Sequence, residues 1–175
     1  GVDGCGSGAM GRGAEFLVLG KGLRQGEMNE ALEIAKSIAK PFEGLRLKPY
    51  LCPAGVPTIG YGTTRYPDGR RVTLADPPIA EDQASAYLMH DMTGSVSAAA
   101  RICPILAIYP NRWGAVADFV YNLGAGNFQT STLRRRINQE DWEEAVRELR
   151  KWVYAGGKKL HGLVLRREAE AKFLK

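Results

Sequence analysis

The sequence predicts an α+β protein, mostly helical, in which a small N-terminal lobe with a short antiparallel sheet is joined to a larger helical C-terminal lobe. Three observations carry that expectation. Turn-punctuated β-prone runs are confined to about residues 45 to 72. Apolar residues at helical spacing precede those runs and recur after Pro77-Pro78 to the end of the chain. The third is size: 175 residues, 45% hydrophobic and 25% charged, make one sizeable core and little more. This composition excludes a chain disordered throughout, and no run reaches the ~18 apolar residues of a membrane-crossing helix.

The opening stretch, GVDGCGSGAMGRGAEF, is rich in glycine and poor in apolar side chains, so burial cannot offset its ordering entropy. It reads as an expression scar plus linker over 1–16, expected to be disordered, with Cys5 incidental. The remaining 17–175 form the folded unit, its small lobe at about 28–76 and its helical lobe at about 77–175. Met28, Ala31, Leu32, Ile34, Ala35, Ile38 and Ala39 define the first helix. Pro41 disfavours helical geometry at Lys40, which predicts that this helix stops just ahead of Glu43.

Leu45 to Leu51 and Val56 to Tyr61 read as strands joined by Pro53-Ala54-Gly55, a turn in which proline supplies a fixed φ and glycine tolerates the exit. A second turn, Pro67-Asp68-Gly69, precedes Val72. Past Pro77-Pro78, an acidic first turn at Glu81 and Asp82 opens a helix with Ala84, Tyr87 and Leu88 on one face. Asp141 and Glu144, at capping-box-like spacing, open another that runs to Val153 with Trp142 and Trp152 on its core face and ends at Gly156-Gly157. All three tryptophans, Trp113 included, are candidate sugar-stacking platforms, and core spacing on one helix face favours packing for Trp142 and Trp152. A last helix covers roughly Leu163 to Leu174.

The net charge of +5 is unevenly placed. Residues 1–133 carry 12 basic and 12 acidic side chains, and 134–175 carry 12 and 7. Such a surplus favours polyanionic partners, among them nucleic acid, anionic lipid and anionic wall polymers. Arg134-Arg135-Arg136 and Arg166-Arg167 read most simply as solvated helix faces. Three widely spaced cysteines and two histidines, His90 and His161, give no metal-binding pattern and no disulfide framework.

Special residues are densest in 42–64, FEGLRLKPYLCPAGVPTIGYGTT. Glu43 lies between a helix end and a turn, Cys52 ends the first strand, Thr58 is on the returning strand, and a hairpin brings them together. A carboxyl group at such a junction can be partly desolvated, which keeps it protonated near neutral pH as a general acid requires. Glycosidic bond cleavage needs one such acid and a nucleophile or positioned water on the opposite face of the sugar. The blander alternatives are an ion pair of Glu43 with Arg46 or Lys48, Cys52 as a small buried hydrophobe, and Thr58 as a strand former.

The pattern Glu-x8-Cys-x5-Thr at Glu43, Cys52 and Thr58 resembles the phage-type lysozymes (endolysins) of glycoside hydrolase family 24. The likeness continues in Phe119 to Phe128 (FVYNLGAGNF) and Thr130-Ser131-Thr132-Leu133, and then in Trp152-x-Tyr154-Ala155-Gly156-Gly157, Gly162-Leu163 and Arg166-Arg167-Glu168, covering about residues 28–175. It implies a lysozyme-like fold and hydrolysis of the β-1,4 bond between N-acetylmuramic acid and N-acetylglucosamine in bacterial peptidoglycan, without metal or organic cofactor. Glu43 matches the catalytic acid, and Thr58 the threonine that helps hold the attacking water or stabilise the sugar's reacting face. Cys52 stands where many members have aspartate, and Thr63 where many have histidine. Tyr121, Asn122 and Thr132 match residues that line the glycan cleft.

An aspartate is ionised at neutral pH, whereas an ordinary thiol, with a pKa of ~8.5, is mostly neutral, so the aspartate's role does not transfer to Cys52 unchanged. Loss of the second carboxylate keeps a lytic transglycosylase as the alternative reaction on the same bond. From another class come a basic nucleic-acid-binding module and a wall-binding protein without catalysis; no helix-turn-helix, RNA-binding aromatic signature or phosphate loop supports the former. The expected partner is peptidoglycan, with anionic outer-membrane or wall polymers met by the basic C-terminal helices, no nucleic acid, and a monomeric enzyme. The expected location is synthesis in the host bacterial cytoplasm and action in the periplasm. The sequence shows neither signal peptide nor N-terminal anchor, so either a separate membrane-disrupting protein releases the enzyme or an export segment stood where the linker now is.

Overall fold

The computed structural model describes residues 25–175; the linker-like stretch 1–16 and its Cys5 lie outside them. Helix α1 is Gln25–Glu43, followed by the antiparallel strands β1 (Arg46–Leu51) and β2 (Pro57–Gly60). A long α2 (Glu81–Ile102), a short 3₁₀ segment (Pro104–Ile108), α3 (Pro110–Leu123), α4 (Ala125–Thr130), α5 (Thr132–Asn138) and α6 (Trp142–Leu149) follow. A two-residue-per-strand ribbon, β3 (Tyr154–Ala155) with β4 (Lys158–Lys159), leads into α7 (His161–Leu174). The mostly helical α+β class is as the sequence predicts.

The β1–β2 hairpin is set by its turn. Gly55 N–H donates to the Cys52 carbonyl at 2.8 Å and Cys52 N–H to the Val56 carbonyl at 3.0 Å, with Gly55 at a φ of 75° that favours glycine. Tyr50 thus pairs with Thr58 and Leu51 with Pro57, which puts Cys52 at the hairpin tip beside Thr58. The second predicted turn forms around Gly69, but its flanks make only the single bridge Arg65–Arg71. Ile59, Tyr66 and Val72 bury a small separate cluster there, and Ile79 packs against both it and the main core.

That main core is helical. Trp113 of α3 is fully buried and its indole N–H donates to the Val96 carbonyl of α2 at 2.8 Å. Gly114 lets α1 lie directly on α3: a Cβ there would stand 2.6 Å from Ile34. The α1–α3 approach fixes the end of α1, and with it Glu43, against the helical lobe.

Three predicted boundaries need correction. Helix α1 does not stop ahead of Glu43 but passes through Pro41 and includes Glu43 as its last residue. A proline this near the C-terminus removes one backbone hydrogen bond, which α1 tolerates because its apolar face, Ala31, Leu32, Ala35, Ile38 and Ala39, is already buried upstream. Helix α6, capped by Asp141 as expected (Glu144 N–H to Oδ1, 3.2 Å), ends at Leu149 rather than Val153. Gly156-Gly157 is not a helix stop: with φ of 55° and 74° the pair forms the tight turn of the β3–β4 ribbon. Trp152 therefore leaves the helix and meets Phe119 edge-on, and Trp142 is half-buried beside Tyr109 and Arg112.

Candidate active site

Glu43 is carried by the last turn of α1, where Gly44, at a φ of 71°, turns the chain into β1. Its side chain is 23% exposed, and its Oε1 accepts from Arg166 Nη1 at 2.7 Å. Neither Arg46 nor Lys48 supplies the partner; it comes from α7, 123 residues away. Glu43 is therefore not the isolated, desolvated carboxyl that the sequence suggests, but a carboxyl group tethered by one oxygen. The other oxygen points toward Gly62, where a Cβ would lie 3.8 Å from Oε2.

The tether is rigid because Arg166 is itself fixed. Its Nε and Nη2 donate to Asp118 Oδ2 and Oδ1 at 2.9 and 2.7 Å, a two-pronged pair with Asp118 fully buried and Arg166 4% exposed. The Asp118 and Glu43 carboxylates together hold the guanidinium charged despite its burial, pushing its pKa further up. Arg167, also fully buried, donates to Glu170 Oε1 at 2.5 Å, to Asn122 Oδ1 at 3.0 Å and to the Trp152 carbonyl at 3.5 Å. The Arg166-Arg167 pair is thus no solvated face. It missed detection because both of its carboxylate partners on other helices are remote in sequence, and two adjacent arginines in a basic region read as surface.

On the hairpin side, Cys52 and Thr58 come together. Cys52 is half-buried and free of any disulfide. Its thiol faces the backbone N–H groups of Val56 and Ala54 in its own turn and the Thr58 hydroxyl, and these donors lower its pKa against a smaller opposing effect of burial. Thr58 is 2% exposed, and its hydroxyl proton has two acceptors in reach, the Val56 carbonyl at 2.9 Å and the Cys52 sulfur. Thr63, at the second departure from the family pattern, is buried and donates to Asp91 Oδ2 on α2 at 2.9 Å, tying the small lobe to the long helix.

Of the three cleft candidates from the helical lobe, Tyr121 is close enough to Glu43 for the carboxylate to raise its phenol pKa, after the larger effect of burial. Asn122 is anchored by Arg167. Thr132 stands apart: it opens α5, accepts from Arg135 Nη2 at 2.7 Å and shares a shallow depression with Arg135, Arg136 and Gln139. Among the described residues, no group of three or more metal-ligating side chains is gathered.

A carboxyl held between the helical lobe and the small lobe suits a glycosidase, and comparison with known proteins decides which. The family model described as phage lysozyme matches residues 40–170. The chain belongs to the phage lysozyme family. It is 43% identical over 131 residues to a SAR-endolysin of Bacteriophage PS119, covering 74% of each chain. Among solved structures, it is 31% identical to the endolysin of Escherichia coli O157:H7 phage FAHEc1, with a TM-score of 0.68 and coverage of 89% and 94%. For a mutant of P22 lysozyme the values are 29%, 0.71, and 81% and 95%. As a member of the family the chain is a glycoside hydrolase of the muramidase type, an endolysin that lyses peptidoglycan. None of its described helices is long and apolar enough to cross a membrane.

Proposed function

We propose that the reaction is hydrolysis of the β-1,4 bond between N-acetylmuramic acid and N-acetylglucosamine, with Glu43 as the general acid. The observation that carries this reading is the placement of Glu43: Arg166 holds one oxygen and leaves the other, on the side of Gly62, to carry the proton. Glu43 hands that proton to the bridging oxygen as the bond breaks, and the resulting carboxylate is received by Arg166, which already faces it. The positive charge developing on the sugar is answered from the hairpin.

There Cys52 takes the place of a second carboxylate. Its turn presents N–H donors to the sulfur, which lowers the thiol pKa and raises the share of thiolate able to accept a proton from the attacking water. Thr58, almost wholly covered, works beneath Cys52 by orienting the sulfur. Tyr121 and Asn122 form the helical wall of the cleft; Thr132 belongs to a more distant part of it. The chemistry requires no metal or organic cofactor.

The enzyme acts as a monomer on the periplasmic wall after synthesis in the host cytoplasm. Surface arginines and lysines of 134–175 add attraction to anionic outer-membrane or wall polymers, although Arg166 and Arg167 are withdrawn from that surface by burial. Nucleic acid is not its partner. Analysis of digested sacculi tests the reaction: new reducing ends are expected, and products ending only in 1,6-anhydro sugars would replace hydrolysis by lytic transglycosylation.

A further inference from the structure

On the small lobe, two arginines are left without a counter-ion. Arg65 and Arg71 stand directly opposite each other in the single antiparallel bridge that flanks the Gly69 turn, and a pair bridged in this way presents its side chains on one face. Like charges so placed repel. The carboxylates of the same loop do not relieve them: Asp76 accepts from Tyr66, from Arg70 and from the hydroxyl and backbone N–H of Thr73, and Asp68 accepts from the Arg70 backbone N–H. Among the described residues, neither Arg65 nor Arg71 has an ion-pair partner. Arg65 spends one Nη on the Gly69 carbonyl at 2.5 Å, and the Arg71 side chain makes no hydrogen bond to any described residue.

Both arginines line one pocket of about 220 Å³, together with Val56, Pro57, Thr64 and Val72. Its floor is firm: Val72 is buried with Ile59 and Tyr66, and its N–H donates to the Thr64 carbonyl at 3.0 Å. The pocket also adjoins the site already described. Val56 and Pro57 follow Cys52 in the hairpin, the Val56 carbonyl accepts from both Cys52 and Thr58, and Thr64 lies two residues past Gly62, at most about 7 Å along the chain. Two guanidinium groups facing one small space match a carboxylate or a phosphate, which they hold through paired N–H donors. The polymer that passes Glu43 brings the former, because each muramic acid of peptidoglycan carries a peptide stem with free carboxylates.

We propose that Arg65 and Arg71 form an anion subsite that takes a carboxylate of the peptide stem on muramic acid and so helps seat the glycan against the small lobe. An anion between the two guanidinium groups converts their repulsion into attraction, and the anchored backbone sets the position of the pair before the substrate arrives. The choice of the stem rests on the muramidase reading; the anion site itself does not. A phosphate-bearing polymer is the competing occupant.

The test compares soluble, uncross-linked glycan strands that keep their stems with the same strands stripped of peptide by an amidase. Wild type should show a KM about tenfold lower on the stem-bearing strands, and Arg71→Gln should lose that preference through a rise in KM on those strands at unchanged kcat. A KM that rises alike on both substrates, or on neither, would overturn the proposal. Arg71→Gln removes a repulsion, so its Tm should be no lower than that of wild type; a clear drop would make Arg71 a structural residue instead. Arginine side-chain NMR signals of the wild type identify the anion. Titration with the dipeptide L-Ala-γ-D-Glu is expected to shift Arg65 and Arg71, and a response to inorganic phosphate without one to the dipeptide would overturn the choice of the stem. The two readings fail separately. Products ending only in 1,6-anhydro sugars would end hydrolysis while leaving the KM comparison readable, and an unaltered preference in Arg71→Gln would end the subsite while the acid role of Glu43 stands.

Discussion

Glu43 sits between two regions built on opposite principles. On the helical side everything polar is buried and interlocked: Asp118, Arg167 and Glu170 have no exposure, and Arg166 only 4%. On the hairpin side the groups are local and close to solvent, with Leu51 and Val56 exposed and Cys52 half-buried in a turn of its own backbone. The helical cluster spans three helices, so any change in it is felt by the fold; the hairpin tip is spanned by seven residues, and a change there is felt mainly by chemistry. The difference explains how the side chain at the tip can change its chemistry while the carboxyl at the end of α1 is held in place.

The largest effect on the fold is expected from Arg166→Met. It leaves Asp118 buried without its cation, a loss of about 3–5 kcal/mol, measurable as a lower urea midpoint; a loss below 1 kcal/mol would show that the cluster relaxes or admits water. Next is Gly114→Ala, which pushes a Cβ into Ile34 and the Ala31 carbonyl of α1. Overpacking at such a crossing costs about 1–3 kcal/mol, and because α1 carries Glu43, activity should fall along with the Tm.

The hairpin should respond differently. Alkylation followed by peptide mass analysis should modify Cys52 readily and leave Cys103 untouched in the folded protein, since Cys103 is fully buried with its pKa pushed up to about 11 while the turn lowers that of Cys52. Cys52→Ser should unfold at the wild-type temperature and lose about a hundredfold in rate, the lower end of general acid–base contributions. Its pH profile should change as well: wild-type digestion gains as the thiolate forms with rising pH, and the serine variant lacks that gain. An unchanged profile would reduce Cys52 to packing.

What the sequence revealed divides along the same line. The hairpin was legible because its determinants are adjacent: Pro53 and Gly55 set the turn, and period-two spacing places Cys52 beside Thr58. The end of α1 was misjudged because a local rule about Pro41 was outweighed by burial of the whole helix face. Gly156-Gly157 closes a ribbon instead of a helix, since two glycines mark a change of direction without saying what precedes it. The Arg166–Asp118 and Arg166–Glu43 contacts were invisible, spanning 48 and 123 residues with no periodicity to connect them. An arginine pair within an otherwise apolar helix face, followed by Glu170, was the available signal.

The most direct test of the account is wall clearing by Glu43→Gln, with fold checked by unfolding temperature. The amide keeps the shape and can still accept from Arg166, but it has no proton to give. The account predicts a folded protein whose lysis rate is lower by about a thousandfold; clearing within a fewfold of wild type would place the acid elsewhere.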